Sequence, residues 1–299
     1  MKLLVTGAWK VSQEQLNKVS DLGCQVVFMQ QEKDALPCAP EQIDGVVCNG
    51  LFLYHDIKAF TNLKFIQLTS VGFDRVPMNV ANKMGIAVFN AGRTYSIPMA
   101  EFVLTGVLSL YKKMEIFFQN KKAKQWLKDR NLLELYGKSV LIVGCGNVGK
   151  ECAKRFNAFG CRVKGVDLYP REDESFISME GMDKLDNNLK NADIVVLTLP
   201  LTKETTYLFN QKRFAVMKKD SLLVNVARGA IIEEGALVNA LENKLMGAVV
   251  DVFETEPLSE NSPLWAMKNV VLTPHNSFVG DGNEQRLFEL IIKNLKEQL

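Results

Sequence analysis

Nowhere in its 299 residues does the chain carry the roughly 20 consecutive apolar residues needed to span a bilayer. The Met1–Lys10 segment has only a short apolar run, without the longer apolar stretch and small-residue cleavage site of a signal peptide. An excess of one charge sign is missing too. The 36 basic and 34 acidic residues are spread along the chain, and a formal net charge of +2 leaves no electrostatic footprint for nucleic acid or an anionic membrane. The six cysteines (Cys24, Cys38, Cys48, Cys145, Cys152, Cys161) show no metal-ligand spacing, and several sit in apolar stretches where a reduced thiol packs as a small hydrophobe. No internal repeat or low-complexity tract is visible. These absences point to a cytoplasmic, disulfide-free chain without a structural metal, whose partner is a small molecule.

What is present suits a large core: 47% of residues are hydrophobic and 23% charged, and the length suggests two domains. In the first ninety residues, β-rich runs at 2–5, 25–28, 45–48, 64–68 and 86–89 alternate with helical patterns such as 12–22. That alternation predicts a parallel sheet with crossover helices. A long helix is expected over about 98–118, with Ser96 and Pro98 as its start signal. After a polar segment from Asn120 to Asn131 that carries Trp126, a second strand-helix series begins at Ser139. Its strands are expected at 140–143, 162–167, 193–198, 222–226, 248–252 and 270–272, near-continuous apolar runs of the kind buried on both faces of a parallel sheet. The predicted fold class is α/β, with two doubly wound, Rossmann-like domains.

Val140–Val143 runs directly into Gly144-Cys145-Gly146-Asn147-Val148-Gly149, and a helical pattern follows. This is G-x-G-x-x-G in the strand-turn-helix context that dinucleotide binding requires. The glycines permit the tight turn, the approach of backbone to pyrophosphate and close helix-strand packing, while free amides at the helix start bind the anion. Asp167 ends the next apolar strand, 21 residues beyond Gly146, where a carboxylate accepts hydrogen bonds from the adenosine ribose. Its charge repels a 2′-phosphate, so NAD is favoured over NADP, although Arg171, four residues on, could reach such a phosphate.

Three later segments place polar groups at strand ends, where an open α/β sheet binds its ligands. They are 225–229 with Arg228, 251–257 with Glu256, and 272–275 with His275. Arg228 suits bidentate capture of a substrate carboxylate, which Lys does not reproduce. His275 suits proton donation to a carbonyl oxygen as hydride arrives, and Glu256 beside it favours the protonated imidazole. Each has an ordinary reading, as a surface cation, a plain loop or a structural histidine, but their coincidence in one nucleotide domain favours a site. His55 reads as a surface or loop residue, and Trp126 as a packing or dimer contact.

At these residues the sequence resembles the D-2-hydroxyacid dehydrogenase family. The resemblance extends to Leu133–Lys138, Leu199–Thr205, Pro263–Trp265 and Asn269-Val270. It implies Arg228 as carboxylate anchor, His275 as acid/base and Glu256 as its partner. It implies Thr198, Leu199, Pro200 and Thr205 among the cofactor contacts, with Asp251, Val226 and Ala227 near the nicotinamide. It also implies that amides of the Ser70-Val71-Gly72 loop hold the substrate carboxylate, and that the Leu51–Tyr54 loop faces a cleft. Those apolar residues favour a small or hydrophobic side group over a phosphorylated one, while Arg93 keeps hydroxypyruvate, glyoxylate and branched keto acids all open. The expected organisation is a substrate domain of residues 1–93 plus 279–299, a nucleotide domain of 94–278, a site between them, and a homodimer formed through the Glu115–Glu134 region. Asn276-Ser277-Phe278 departs from the small residues many members place after the histidine. An NAD(H)-sensing regulatory protein on the same fold is the alternative. Glu256 argues against a formate-dehydrogenase-like activity, in which a Gln stands there.

Overall fold

The computed structural model describes residues Met1–Gln298, and every apolar run expected to be a strand lies on one. In chain order the elements are β1 (Lys2–Thr6), α1 (Gln13–Ser20), β2 (Gln25–Met29), β3 (Gly45–Cys48), β4 (Phe65–Leu68), α2 (Met78–Lys83), β5 (Ala87–Phe89), α3 (Ser96–Tyr111), α4 (Met114–Lys122), β6 (Ser139–Val143), α5 (Asn147–Ala158), β7 (Arg162–Asp167), β8 (Met179–Gly181), α6 (Leu185–Leu189), β9 (Ile194–Leu197), α7 (Gln211–Val216), β10 (Leu222–Asn225), α8 (Glu234–Asn243), β11 (Gly247–Val250), β12 (Val270–Leu272) and α9 (Asn283–Gln298). The chain divides into two compact units, one of Met1–Tyr95 with the segment from Gly280 onward, the other of Ser96–Val279. Of the 279–299 segment assigned from sequence to the substrate domain, Leu299 lies outside the described residues.

The first unit is a five-stranded sheet in the order β2-β1-β3-β4-β5, with every pair parallel. Because side chains alternate along a strand, each strand feeds two cores. Leu4, Val46, Cys48, Ile66 and Leu68 pack on one face with Ala81 of α2. Leu3, Val5, Val47 and Phe65 pack on the other with Val19 of α1 and with Leu287, Phe288, Ile291 and Leu295 of α9. The last helix begins at Asn283, five residues earlier than the apolar pattern at Phe288 suggests.

The second unit is a seven-stranded parallel sheet, β12-β11-β10-β9-β6-β7-β8. Leu141, Val143, Val195, Leu197, Leu223 and Val250 pack beneath α8, while Val140, Ile142, Ile194, Val196, Val224 and Val249 pack beneath α3 and α5. Burial on both faces explains why these strands read as unbroken apolar runs. Close approach of α3 depends on Gly106, where a Cβ would stand 2.6 Å from Val249 Cγ1. The strand order reverses direction between β6 and β9, and such a switch point leaves a crevice at the carboxyl ends of the strands.

One expectation needs correction, and one strand is added. The helix expected over 98–118 is two helices, broken where Lys113 takes a left-handed conformation at φ 52°. No Gly or Pro marks the break. It is held from a distance, by Lys113 Nζ on Asp129 at 2.7 Å and Lys112 Nζ on the Leu133 carbonyl at 2.6 Å. β8 was not foreseen, since a three-residue edge strand has too little apolar pattern to register.

Candidate active site

The glycine-rich turn is shaped by steric exclusion. Gly144 sits at φ +93°, and a Cβ there would lie 2.5 Å from the Leu199 nitrogen. A Cβ on Gly149 would lie 2.3 Å from the Gly144 carbonyl oxygen and 3.1 Å from Thr198 Oγ1. Thr198 ties the two strand ends together by donating its hydroxyl to the Gly144 carbonyl at 2.6 Å. Gly146, by contrast, meets no atom within 4 Å of a built Cβ, so its backbone is open to a ligand. It precedes the first turn of α5, formed by Asn147, Val148 and Gly149. Two glycines packed against protein and one facing open space are what a pyrophosphate at a helix start requires. The residues therefore fit a nicotinamide dinucleotide.

Asp167 faces this loop. Its Oδ2 accepts the Cys145 amide at 2.6 Å and its Oδ1 accepts the Tyr169 amide at 2.9 Å, which leaves each oxygen with capacity for a ribose hydroxyl. Arg171 reaches the same loop, donating Nη2 to the Cys145 carbonyl at 2.7 Å. Burial, first, and the nearby Asp167 charge push the Cys145 thiol up to about 12, so it acts as packing rather than as a nucleophile. Beyond β9, Thr205 Oγ1 accepts the Thr202 amide and donates to the Pro200 carbonyl at 2.8 Å, closing the Leu199–Thr205 turn.

At the ends of β10 and β11 the polar residues do two kinds of task. Asn225 is 1% exposed and clips the turn that carries Arg228: its Oδ1 accepts the Ala227 amide at 3.1 Å and its Nδ2 donates to the Arg228 carbonyl at 3.0 Å. Val226 and Ala227 are buried within that turn, and Arg228 Nη1 donates to the Ala227 carbonyl at 2.7 Å. Gly229 follows, where a Cβ would fall 1.8 Å from the Phe253 carbonyl carbon, so the Arg228 turn and the 253–256 loop touch main chain to main chain. Asp251 is fully buried and grips the histidine turn. Its Oδ1 accepts the Thr273 hydroxyl at 2.7 Å and the Asn276 amide at 2.8 Å, its Oδ2 the Ser277 amide at 3.0 Å, and its backbone carbonyl the His275 amide at 2.7 Å.

Held this way, His275 adopts φ 51° and sets its Nδ1 2.9 Å from Glu256 Oε2. Glu256 Oε1 in turn accepts the Phe253 amide at 3.1 Å. The two side chains are 43% and 38% exposed, so this is a solvent-reached pair oriented by its loops. The Phe278 ring stands edge-on to the imidazole, its centroid 6.0 Å away, which makes the departure at 276–278 a wall of the histidine's own surroundings. The Tyr207 hydroxyl bonds to Glu254, the neighbouring carboxylate, and that leaves Glu256 to the histidine. An imidazole with one nitrogen on a carboxylate has the other free to exchange a proton with a bound oxygen.

Ser70, Val71 and Gly72 lie in the first unit, just past β4. The Ser70 carbonyl accepts the Ala91 amide at 2.8 Å and its hydroxyl donates to the Gly72 carbonyl at 3.1 Å. The Leu51–Tyr54 stretch does not present a uniform apolar face. Leu51 is fully buried and Phe52 packs on Phe60, because a turn of 3-10 helix points successive side chains apart, and only Leu53 and Tyr54 are exposed. His55, expected at a surface or loop, bonds through Nε2 to the Glu32 carbonyl at 2.9 Å. Sequence reasoning placed Asn225 and Gly229 in the Arg228 segment but assigned neither a role. Their only signals are a polar residue closing an apolar strand and a glycine directly after the arginine.

Residues 104–277 match the family described as D-isomer specific 2-hydroxyacid dehydrogenase, NAD binding domain. The chain is 37% identical to a glyoxylate reductase of Thermofilum pendens over 273 residues, covering 89% of this chain and 78% of that protein. Among solved structures, a D-isomer specific 2-hydroxyacid dehydrogenase family protein of Aeromonas salmonicida superposes with a TM-score of 0.86 at 29% identity, covering 98% of this chain and 94% of the other. A family member from Xanthobacter autotrophicus Py2, solved with NADPH and MES, gives 0.82 at 28% identity over 99% and 93%.

Proposed function

Since the chain belongs to the D-isomer specific 2-hydroxyacid dehydrogenase family, we propose that its residues exchange a hydride between NAD(H) and a small 2-hydroxy or 2-keto acid. The observation that carries this reading is the His275–Glu256 pair at 2.9 Å, on loops packed against the turn that bears Arg228. Arg228 holds the substrate carboxylate and stabilises negative charge growing on the adjacent carbonyl oxygen. His275 Nε2 donates a proton to that oxygen in reduction and removes it in oxidation, while Glu256 fixes the ring through Nδ1. The bound nicotinamide supplies the hydride in one direction and takes it in the other. Gly144, Gly146, Asn147, Val148 and Gly149 hold the pyrophosphate, Asp167 the ribose, and Thr198–Pro200, Thr205, Val226, Ala227 and Asp251 line the remainder of the cofactor's path. The amides of Ser70, Val71 and Gly72 take the substrate carboxylate.

The Asp167 carboxylate favours NAD. Arg171 on the same loop is the residue through which NADP would enter, and a family relative is solved with NADPH. Asp167→Ser should therefore narrow the gap between the cofactors. For the substrate, Leu53 and Tyr54 are the exposed residues of the first-unit loop, and both suit a small, unphosphorylated 2-keto acid; the similar protein of Thermofilum pendens is a glyoxylate reductase. The six free thiols support a reducing, cytoplasmic setting. A homodimer through the Glu115–Glu134 region is supported by the exposure of Phe118 and by Trp126, 93% exposed, which with the exposed Leu127 lines a hollow of 860 Å³ that none of the triad lines. Trp126→Glu should then shift the protein to monomer in sedimentation.

The test of the reading is a panel of 2-keto acids, each offered with NADH and with NADPH and followed by loss of nicotinamide absorbance. No turnover with any of them, alongside measurable NADH binding, would transfer the site to the regulatory alternative. A marked preference for 3-phosphohydroxypyruvate would overturn the substrate class.

A further inference from the structure

The first unit contains a chain of three carboxamides, two of them buried, that none of the roles above uses. Asn294 of α9 donates Nδ2 to Gln67 Oε1 at 2.6 Å, a contact between residues 227 apart in sequence. Gln67 of β4 is 1% exposed and Asn294 8%. The Gln67 amide nitrogen donates to the Leu68 carbonyl at 2.8 Å and to the Asn90 carbonyl at 3.1 Å, so its two N–H groups and its oxygen are all engaged. Asn90 carries the chain onward. Its Nδ2 donates to the Val71 carbonyl at 2.7 Å and its Oδ1 accepts the Gly92 amide at 3.0 Å. Arg286 adds a second hold, donating Nε to the Thr94 carbonyl at 2.9 Å.

An apolar pair would fill the space between β4 and α9 without the desolvation cost of two amides. What the amides add is direction. The peptide unit is planar and trans, so the Val71 C=O and the Gly72 N–H point in opposite directions within one rigid plane. By turning the Val71 carbonyl toward its own Nδ2, Asn90 aims the Gly72 N–H away from itself. The bond from Gln67 to the Asn90 carbonyl, with Asn294 behind it, fixes the main chain from which Asn90 reaches.

We propose that this relay from Asn294 through Gln67 to Asn90 makes the C-terminal helix a positioning element for the Ser70–Gly72 loop, with the three amides as positioning residues for substrate carboxylate capture. The proposal rests on the reading above that the loop amides hold the carboxylate. Pre-aimed donors need to sit within about 0.5 Å of their productive place to be worth their full strength. A loop free to rotate its 71–72 peptide loses that advantage in binding and leaves the proton-transfer residues untouched.

The test uses the full-length protein and the keto acid with the highest kcat/KM in the panel. Asn90→Ala should raise its KM about three- to tenfold, the equivalent of one lost hydrogen bond, with a smaller change in kcat and an NADH Kd within about twofold of wild type. The double variant Gln67→Met with Asn294→Leu exchanges both buried partners for apolar groups of similar size. Its melting temperature should fall by about a few degrees, because the Leu68 and Asn90 carbonyls lose their donor, and at a temperature where the fold is intact it should still raise KM while kcat and the NADH Kd hold, a split that a purely structural role for the amides does not predict. Gly72→Pro removes one loop donor outright and reports on the loop itself. If Gly72→Pro raises KM while Asn90→Ala and the double variant do not, the relay is wrong and the loop reading stands. If Gly72→Pro also leaves KM unchanged, the loop reading fails and takes the relay with it.

Discussion

In the seven-stranded sheet two glycines that admit backbone, Gly144 and Gly149, shape the glycine-rich loop with Asp167 bracing it, whereas in the five-stranded sheet one glycine, Gly7 against the Gln30 carbonyl, is joined by a wider side-chain grip on the strand ends. Gly144 and Gly149 leave no room for a Cβ against Leu199 and against the loop's own carbonyl. In the first unit, Glu32 does the equivalent task with hydrogen bonds. It accepts the Thr6 hydroxyl at 2.8 Å, the Asn49 amide at 2.6 Å and the Gly50 amide at 2.7 Å, tying together the ends of β1 and β3. A steric device tolerates almost no substitution, because a Cβ cannot share space with main chain. A hydrogen-bonded brace fails by degrees, since water or a shorter side chain can take over part of its bonding. The turns that carry Arg228 and His275 combine both means, with Gly229 against Phe253 and the braces Asn225 and Asp251.

The largest effect expected lies outside both devices and calibrates them. His275→Asn keeps the turn and removes the proton donor, so turnover should fall by about 10²- to 10⁴-fold with NADH affinity nearly intact. A variant that retained near-wild-type kcat would overturn the mechanism. Gly144→Ala tests the steric device. The added Cβ meets main-chain atoms at a left-handed φ, and relief of that strain should weaken NADH binding by about ten- to a hundredfold in a fluorescence titration. Affinity within twofold of wild type would mean the loop is softer than its glycines imply.

Glu32→Gln tests the side-chain grip, and its consequence should fall on stability rather than on cofactor binding. The amide nitrogen of Gln opposes a backbone donor that the carboxylate had satisfied, at a cost of about 1–3 kcal/mol. Thermal unfolding of the first unit should move down by several degrees while the NADH Kd stays put. A loss of NADH affinity as large as that of Gly144→Ala would dissolve the contrast. The smallest effect concerns Asp173, which Lys150 Nζ meets at 2.6 Å and whose hydrogen bond holds the carboxyl down at about 2 from an ordinary 3.8. Because the folded-state value is the lower one, the pair stabilises the fold above the ordinary value and the contribution disappears as pH falls through about 2. Wild type and Asp173→Asn should differ by about a degree or two in melting temperature near neutral pH, in line with a pair at the surface, and converge in strong acid. A gap that widened on acidification would reverse the sign of the argument.

Steric devices also leave marks in a sequence that braces do not. G-x-G-x-x-G is legible because only glycine fits, and Arg228, Glu256 and His275 stood out because each is a rare polar group at the end of an apolar strand. Asp251 was legible as a polar strand end, but its grip on the histidine turn was not, since that depends on how β11 and β12 lie side by side. Asn90, Gln67 and Asn294 look like ordinary polar residues along the chain. The break at Lys113 was invisible for a related reason, being imposed by partners 16 and 21 residues away from their lysines.

By itself the sequence determined the parallel α/β architecture, the dinucleotide loop and the polar groups at the strand ends. Those follow from periodicity, from glycine's missing Cβ and from the chemistry of side chains, all of which act over a few residues. Only the tertiary structure decided which polar groups serve as braces. A carboxylate or carboxamide is the same residue whether it braces or not, and its role is set by donors and acceptors that the fold brings to within about 3 Å from distant parts of the chain.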